Sequence, residues 1–337
     1  RILVFTDNHF CERSSILTKY GTKYSLRLEN QLASINWVEQ LARDESCGMI
    51  VCLGDFFDKT ILNAAELSAL SEVCFASDFT HCIAGNHEMW GNDHTFTSVD
   101  ALRLNGIHIH KEPRQWLYYG DTEIITLPYI LESERKPLAD YLPPRKKSKR
   151  IILSHNDIKG IQMGPVISKI GFTIEEIEEN CDLFINGHIH NGQKITDKIY
   201  NIGNLTGQNF SENARKYPHN VFILDTDTLE IEVIENPYAF NFYPGLDFND
   251  PETFYFKQNS FLTGTCSPEN APKVREILNN DPRVISYRLN VVYDTIITDE
   301  EKVTELHTNH LDQFKEYIIN ELRNNEVVEE ELSEVLR

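Results

Sequence analysis

The sequence predicts an α/β fold in which covered strands alternate with helices, followed by a small α+β cap and a helical tail. Three observations carry this. Short, continuous apolar runs recur between stretches of helical spacing up to about residue 236, and strands apolar throughout must be covered on both faces. Asp, His and Asn stand immediately after those runs. From about Asn236 aromatic residues crowd a stretch containing Pro, Gly and Asn, and an acidic segment rich in helix formers follows.

Ile2-Leu3-Val4-Phe5 is the first strand and ends at Thr6-Asp7. Leu28, Leu32, Ile35, Val38 and Leu41 share one face of a helix over Leu26 to Leu41. Met49 to Leu53 is a strand ending in Gly54-Asp55, Ala64 to Phe75 a helix, and His81 to Ala84 a strand ending in Gly85-Asn86-His87. Ile124 to Leu127, Ile151 to Leu153, Leu183 to Ile185 and Val221 to Leu224 repeat the strand pattern. These elements define a main domain over residues 1–236. A connector and cap take residues 237–298, with a strand from Phe261, a helix around Pro272 to Leu278 and a strand over Val284 to Val292. The tail, 299–337, places Leu306, Leu311, Phe314, Ile318 and Leu322 on one helical face.

Composition is that of a globular chain, with 41% hydrophobic and 25% charged residues. No apolar run is long enough to span a bilayer. Arg1 to Phe5 leads straight into Asp7 without the zones of a signal peptide. The seven cysteines are scattered, with no CxxC pair, which is the pattern of reduced core thiols in a cytoplasmic protein. The net charge of −20 is unlike that of proteins that wrap nucleic acid with a basic face. Either the substrate is no polyanion, or local basic patches, metals or a partner supply the attraction.

Five segments carry chemistry: Asp7-Asn8-His9, Gly54-Asp55-Phe56-Phe57-Asp58, Gly85-Asn86-His87-Glu88, Ser154-His155-Asn156 and Asn186-Gly187-His188-Ile189-His190. One Asp-x-His alone is usually a turn or a satisfied histidine. Together, at the carboxyl ends of strands, they converge on the crevice where open α/β sheets bind ligands. Carboxylate, imidazole and amide oxygen suit Mn²⁺, Fe²⁺ or Zn²⁺, and the lack of thiolates argues against a structural zinc site. Asp-x-His on an extended segment puts both side chains on one side, so Asp7 and His9 can chelate one ion, and His188 and His190 share the spacing. Gly beside Asp55, Asn86 and His188 lets the backbone turn and leaves room for ions. Asp55 can bridge two cations with its two oxygens, roughly 3.5–4 Å apart as two-metal hydrolases require.

These segments resemble, motif by motif, the calcineurin-like metallophosphoesterase superfamily. The resemblance implies a four-layer α/β sandwich holding two divalent metal ions, Mn²⁺ first among the candidates, with Mg²⁺, Fe²⁺ or Zn²⁺ as alternatives. It assigns Asp7, His9, Asp55 and His190 to the first metal, and Asp55, Asn86, His155 and His188 to the second. Hydroxide held between the metals would attack phosphorus in line. His87 would stabilise the transition state or protonate the leaving oxygen; the plainer alternative is a histidine that only supports the ligands. The Gly54–Asp58 box, Tyr200-Asn201-Ile202-Gly203-Asn204-Leu205-Thr206 and His219 to Asp225 resemble the SbcD family of DNA repair nucleases, whose phage-encoded members are similarly compact and acidic. That resemblance implies DNA as substrate, an SbcC-like ATPase docked on the tail, and a homodimer. The chain departs from it in lacking Leu-Gly after His9, and in Glu88 where Asp is commoner. It also has Asp58 where some archaeal members have a His thought to orient the DNA end. The alternative is a stand-alone metallophosphoesterase acting on a small-molecule or protein phosphoester.

Two further stretches leave open readings. Pro143 to Arg150 is the one dense basic loop, either simply solvated or a contact to the DNA backbone. Tyr238 to Phe256 is aromatic core between the domains or a surface on which bases stack.

Overall fold

The computed structural model describes residues 1–12, 21–73, 80–91, 93–164 and 166–293. Two six-stranded sheets form its centre. The first runs, in spatial order, Ile231–Glu235, Asn220–Leu224, Ile2–Phe5, Met49–Cys52, Thr80–Ile83 and His108–His110. From Ile2–Phe5 to His108–His110 the strands are parallel. Asn220–Leu224 closes on Ile2–Phe5 antiparallel. The second sheet runs Gln193–Lys194, Ile199–Asn201, Leu183–Asn186, Lys149–Ser154, Thr122–Leu127 and Arg114–Tyr119, parallel over its middle four strands.

The period of two along each strand explains why the runs are apolar throughout. In the first strand Leu3 and Phe5 pack with Leu28, Ile35 and Val38 of the helix Leu26–Asp44. Ile2 and Val4 point the other way, into a core shared with Ile124, Ile151, Leu153, Leu183 and Ile185 of the second sheet. The far face of that sheet is covered by Phe172 and Ile177, the latter on the helix Ile174–Asn180. Helix, sheet, sheet and helix give the four layers expected, and burial on both faces is the driving force.

The helices obey their caps. Ser25 accepts from the Leu28 amide at the start of Leu26–Asp44. Asn63 and Glu66 form a reciprocal capping box before Ala64–Leu70. That helix stops at Leu70 rather than running to Phe75, because Asn105 Nδ2 donates to the carbonyls of Leu70 and Val73 and ends the turn there; residues 74 and 75 lie outside the described residues. The strand His108–His110 and the short pair Met89–Trp90 and Asp93–Thr97 have no long apolar run to announce them, and Arg114–Tyr119, which does carry Trp116 to Tyr119, is not singled out by the sequence reading.

Arg1–Asn290 is one compact unit. Within it, residues from Asn241 on form a three-stranded sheet, Asn241–Asp247, Ser260–Cys266 and Val284–Val291, with the helix Ala271–Asn280. Phe240, Phe242 and Phe261 are buried together against Leu26 and Phe210. Much of the aromatic stretch is therefore core, while Tyr255 is left 88% exposed. The acidic tail, 299–337, lies outside the described residues.

Candidate metal centre

The strand ends are zipped to one another before any side chain is placed. The amides of Asp7, His9 and Phe10 donate to the carbonyls of Gly54, Asp55 and Phe56 at 3.1, 2.9 and 2.7 Å. His87 N donates to Asp55 Oδ1 at 3.0 Å, and His188 N to Asp7 Oδ2 at 2.9 Å. Side chains from distant segments thus inherit fixed positions from backbone bonds.

The backbone reaches those positions by local strain. Asp7, His9, Asp55 and His188 have φ of 50°, 49°, 47° and 73°, a region costly for residues with a Cβ and one that clusters at functional sites. Asp7-Asn8-His9 is therefore not extended, contrary to the expectation from its spacing. The two side chains still meet, with His9 Nε2 3.7 Å from Asp7 Oδ1, but left-handed turns bring them together. Gly54, at φ 107°, needs its missing Cβ because one would lie 2.5 Å from His155 Nδ1. Gly85 serves close approach rather than turning: a Cβ there would fall on Asp55 Oδ1.

Potential ligand atoms gather in three overlapping groups: Asp7, His9 and His190; His9, Asp55 and His87; and Asp55, His155 and His188. In each, the atoms lie within 4.8 Å of one another. Asn86 Oδ1 completes the third, 3.2 Å from His155 Nε2 and 2.9 Å from His188 Nδ1. Asp55 joins the halves: its Oδ2 is 3.9 Å from His9 Nε2 and 3.2 Å from His155 Nε2. Oδ1 is turned away to the His87 amide, so one oxygen, not both, lies between the halves. All seven residues named from the sequence are in this cluster, and His87 joins it through the second group.

The donor set fits cations. Asp7 Oδ2 is satisfied by Thr6 Oγ1 at 2.6 Å and the His188 amide, yet its Oδ1 is buried with no hydrogen-bond donor. A buried carboxylate oxygen so placed, facing His9 and His190, calls for a positive charge. Burial alone would lower the histidines, but Asp58, Asp7 and Asp55 outweigh it at His9 and hold it near 10. Asp55 does the same at His155, raised to about 9. Burial would raise Asp7, yet the nearby His9 and the charges of His155 and His190 bring it down to about 2. Asp55 is likewise held below the usual carboxylate range, His155 and His9 overcoming its burial. In the absence of metal, protons on histidines supply the positive charge that these carboxylates demand.

Each histidine is also aimed from behind. His9 Nδ1 bonds Asp58 Oδ1 at 3.0 Å, His190 Nδ1 bonds Glu212 Oε1 at 2.8 Å, His188 Nε2 bonds Asp157 Oδ1 at 3.3 Å, and His155 Nδ1 bonds the Leu53 carbonyl at 2.7 Å. Such partners fix the ring and the tautomer, leaving the other nitrogen to face an ion. His87 is the open member, its side chain 42% exposed, with Nδ1 3.6 Å from Asp58 Oδ1. Glu88 is buried and accepts from the amides of Phe57 and Gly85 at 3.0 and 2.9 Å, tying the two boxes together. Asp157 and Glu212 are not singled out by the sequence reading. Asp157 directly follows Ser154-His155-Asn156 and could have been suspected. Glu212 lies in a loop with no motif to mark it.

The family model described as calcineurin-like phosphoesterase matches residues 1–192. The chain is similar to a protein named probable exonuclease subunit 1 from Escherichia phage T5, 26% identical over 257 residues, which are 70% of this chain and 69% of that protein. Among solved structures it is similar to the phosphoesterase Yfce from E. coli, at 14% identity and a TM-score of 0.33, and to a dimetal phosphatase from Danio rerio, at 13% and 0.40; each match covers 70% of this chain and 98% of the other. From the family match over more than half its length, the chain belongs to the calcineurin-like phosphoesterases.

Proposed function

We propose that this phosphoesterase cleaves DNA phosphodiesters, as the nuclease subunit of an SbcCD-type complex, with two divalent cations, Mn²⁺ foremost. The observation that carries the hydrolytic part is the orphaned Asp7 Oδ1 within a cluster of imidazoles and carboxylates joined by Asp55. Asp7, His9, Asp55 and His190 would hold one cation, and Asp55, Asn86, His155 and His188 the other. Bound cations would neutralise phosphate charge and make a water acidic enough to act as nucleophile. Around them, Asp58, Glu212 and Asp157 keep the imidazoles oriented. His87, exposed at the rim with Asp58 Oδ1 3.6 Å from its Nδ1, would stabilise the transition state or protonate the leaving oxygen.

The phage exonuclease subunit favours DNA, and a capping role for residues 237–298 belongs to the same reading. A homodimer and an SbcC-like ATPase bound through the tail belong to the same proposal, as does a cytoplasmic setting, in keeping with the free thiols of the described cysteines. Among the described residues no helix is long and apolar enough to cross a membrane. The charge of −20 favours a second reading, a stand-alone enzyme for small-molecule or protein phosphoesters. Hydrolysis of linear and circular DNA beside a chromogenic diester, with Mn²⁺ and with or without the ATPase, separates them. DNA cleavage supports the first reading; cleavage of the diester with DNA untouched in every combination supports the second.

A further inference from the structure

Two large aromatic side chains next to the candidate metal centre are left open to solvent. Trp90 is 57% and Phe96 58% exposed, and their rings meet edge to face at 6.2 Å. They stand on the paired strands Met89–Trp90 and Asp93–Thr97, the first structure after Gly85-Asn86-His87-Glu88. This ribbon is firmly rooted. Ser98 N donates to the Glu88 carbonyl at 3.2 Å, and Thr60 Oγ1 to the Met89 carbonyl at 2.7 Å. On its inner side His94 Nε2 donates to the Tyr129 carbonyl at 2.8 Å, and the Tyr129 ring lies 5.3 Å from that of His188. The ribbon is thus tied both to the box that carries His87 and to the residue that flanks His188. Chain connectivity keeps the Trp90 Cα within about 11 Å of the His87 Cα, the range of the nucleotide next to a phosphate held beside His87.

We propose that Trp90 and Phe96 form a stacking platform for the nucleobase adjoining the scissile phosphate. The inference rests on the DNA reading above and names how this site would grip its strand. More than half of each side chain contributes nothing to the core, so folding alone does not account for the pair. Stacking on a neutral ring is also indifferent to the charge that makes this chain repel a polyanion, and every base has a face to offer.

The test compares kcat/KM for a single-stranded oligonucleotide with that for a chromogenic diester that has no base, using the full chain and Mn²⁺. Trp90→Ala is expected to lower the DNA-to-diester ratio at least about fivefold, the low end of what one stacked base contributes. Trp90→Phe is expected to restore most of it. An oligonucleotide abasic beside the cleaved bond should show no such fall. An unmoved ratio in Trp90→Ala, with DNA still cut, overturns the platform. So does an equal fall on the abasic strand, which would indicate that the strand's backbone is what Trp90 touches. Should Trp90→Ala fail to fold, Phe96→Ala reads the same ratio by the same criteria. Wild-type enzyme that cleaves the diester but no DNA would defeat the DNA reading itself, and the platform with it.

Discussion

The strand Lys149–Ser154 has opposite chemistry at its two ends. Its carboxyl end delivers His155 into the cluster of imidazoles and carboxylates. Its amino end emerges from the basic loop Pro143 to Arg150, about 20 Å away at the rise of an extended strand. The loop's cations are largely occupied within the molecule. Arg145 pairs with Asp182 and the Ser148 carbonyl, Lys147 Nζ reaches the Gly120 carbonyl at 2.7 Å, Lys149 reaches the Asp227 carbonyl, and Arg150 is buried on Glu123 at 2.6 Å. At the other end the carboxylates hold protons on His9 and His155. The contrast teaches that formal charge is a poor guide to where a phosphate binds here. The acidic end becomes anion-binding once cations are bound, whereas the basic end is partly neutralised by its own neighbours, Arg145 by Asp182 and Arg150 by Glu123.

The largest test of this contrast is Asp55→Asn, which removes the charge shared by the two halves while keeping the side chain's shape. Hydrolysis of a diester should fall by at least about 10²–10³-fold, the scale of losing one electrostatic stabiliser, with less metal retained per chain by elemental analysis. Full metal content and near-normal turnover would show that the halves do not depend on Asp55. Acidity gives the next effect. His9 and His155 titrate near 10 and 9 in the absence of metal, so at neutral pH each carries a proton that a cation must displace. Apparent metal affinity should therefore rise with pH up to about 9, by as much as tenfold per displaced proton per pH unit. Titration calorimetry at pH 6, 7 and 8 checks this, and equal affinities would contradict it.

Glu212→Gln is expected to weaken metal binding by about 10–100-fold, since the His190 ring would lose its charged partner at Nδ1 while keeping its neighbours. A variant that loses stability but binds metal as before would mean that Glu212 serves only the fold, through its bonds to Asn204 and the Gln208 amide.

Glu212 also marks the limit of what sequence can reveal about this site. Asp7, His9, Asp55, Asn86, His155, His188 and His190 were legible because each follows an apolar strand or a glycine, and strand ends in such a sheet point to one crevice. Their backbone was not legible. The left-handed turns at Asp7, His9, Asp55 and His188 arise from the bonds that zip one strand end to the next, which no single segment contains. The residues behind the histidines come from long-range pairing: Glu212 lies on a loop held by Asn204 and Gln208, and nothing within that loop announces His190. Alternation of apolar strands with helices implied only an α/β fold with covered strands; the four-layer arrangement was implied by the resemblance to the calcineurin-like superfamily. His108–His110 and Met89–Trp90 were missed because strands of two or three residues are defined by their partners, not by their composition.

The smallest expected effect is at the basic loop, and it is the sharpest check on the comparison of the two ends. Replacing Arg145, Lys146 and Lys147 with neutral residues removes positive charge from an acidic chain, so a general electrostatic view predicts weaker DNA binding. The structure argues otherwise, because the loop is at the far end of the strand from the metal centre and Arg145 and Lys147 already have partners. DNA affinity should change by less than about twofold. The slope of log affinity against log salt should hold, since removing one cation bound to a phosphate would flatten it by about 0.9. A slope reduced by that amount or more would make the loop a binder of the DNA backbone after all, with the strand laid along the whole length of the sheet. An unchanged slope would leave the metal centre and the ribbon beside it to provide the grip.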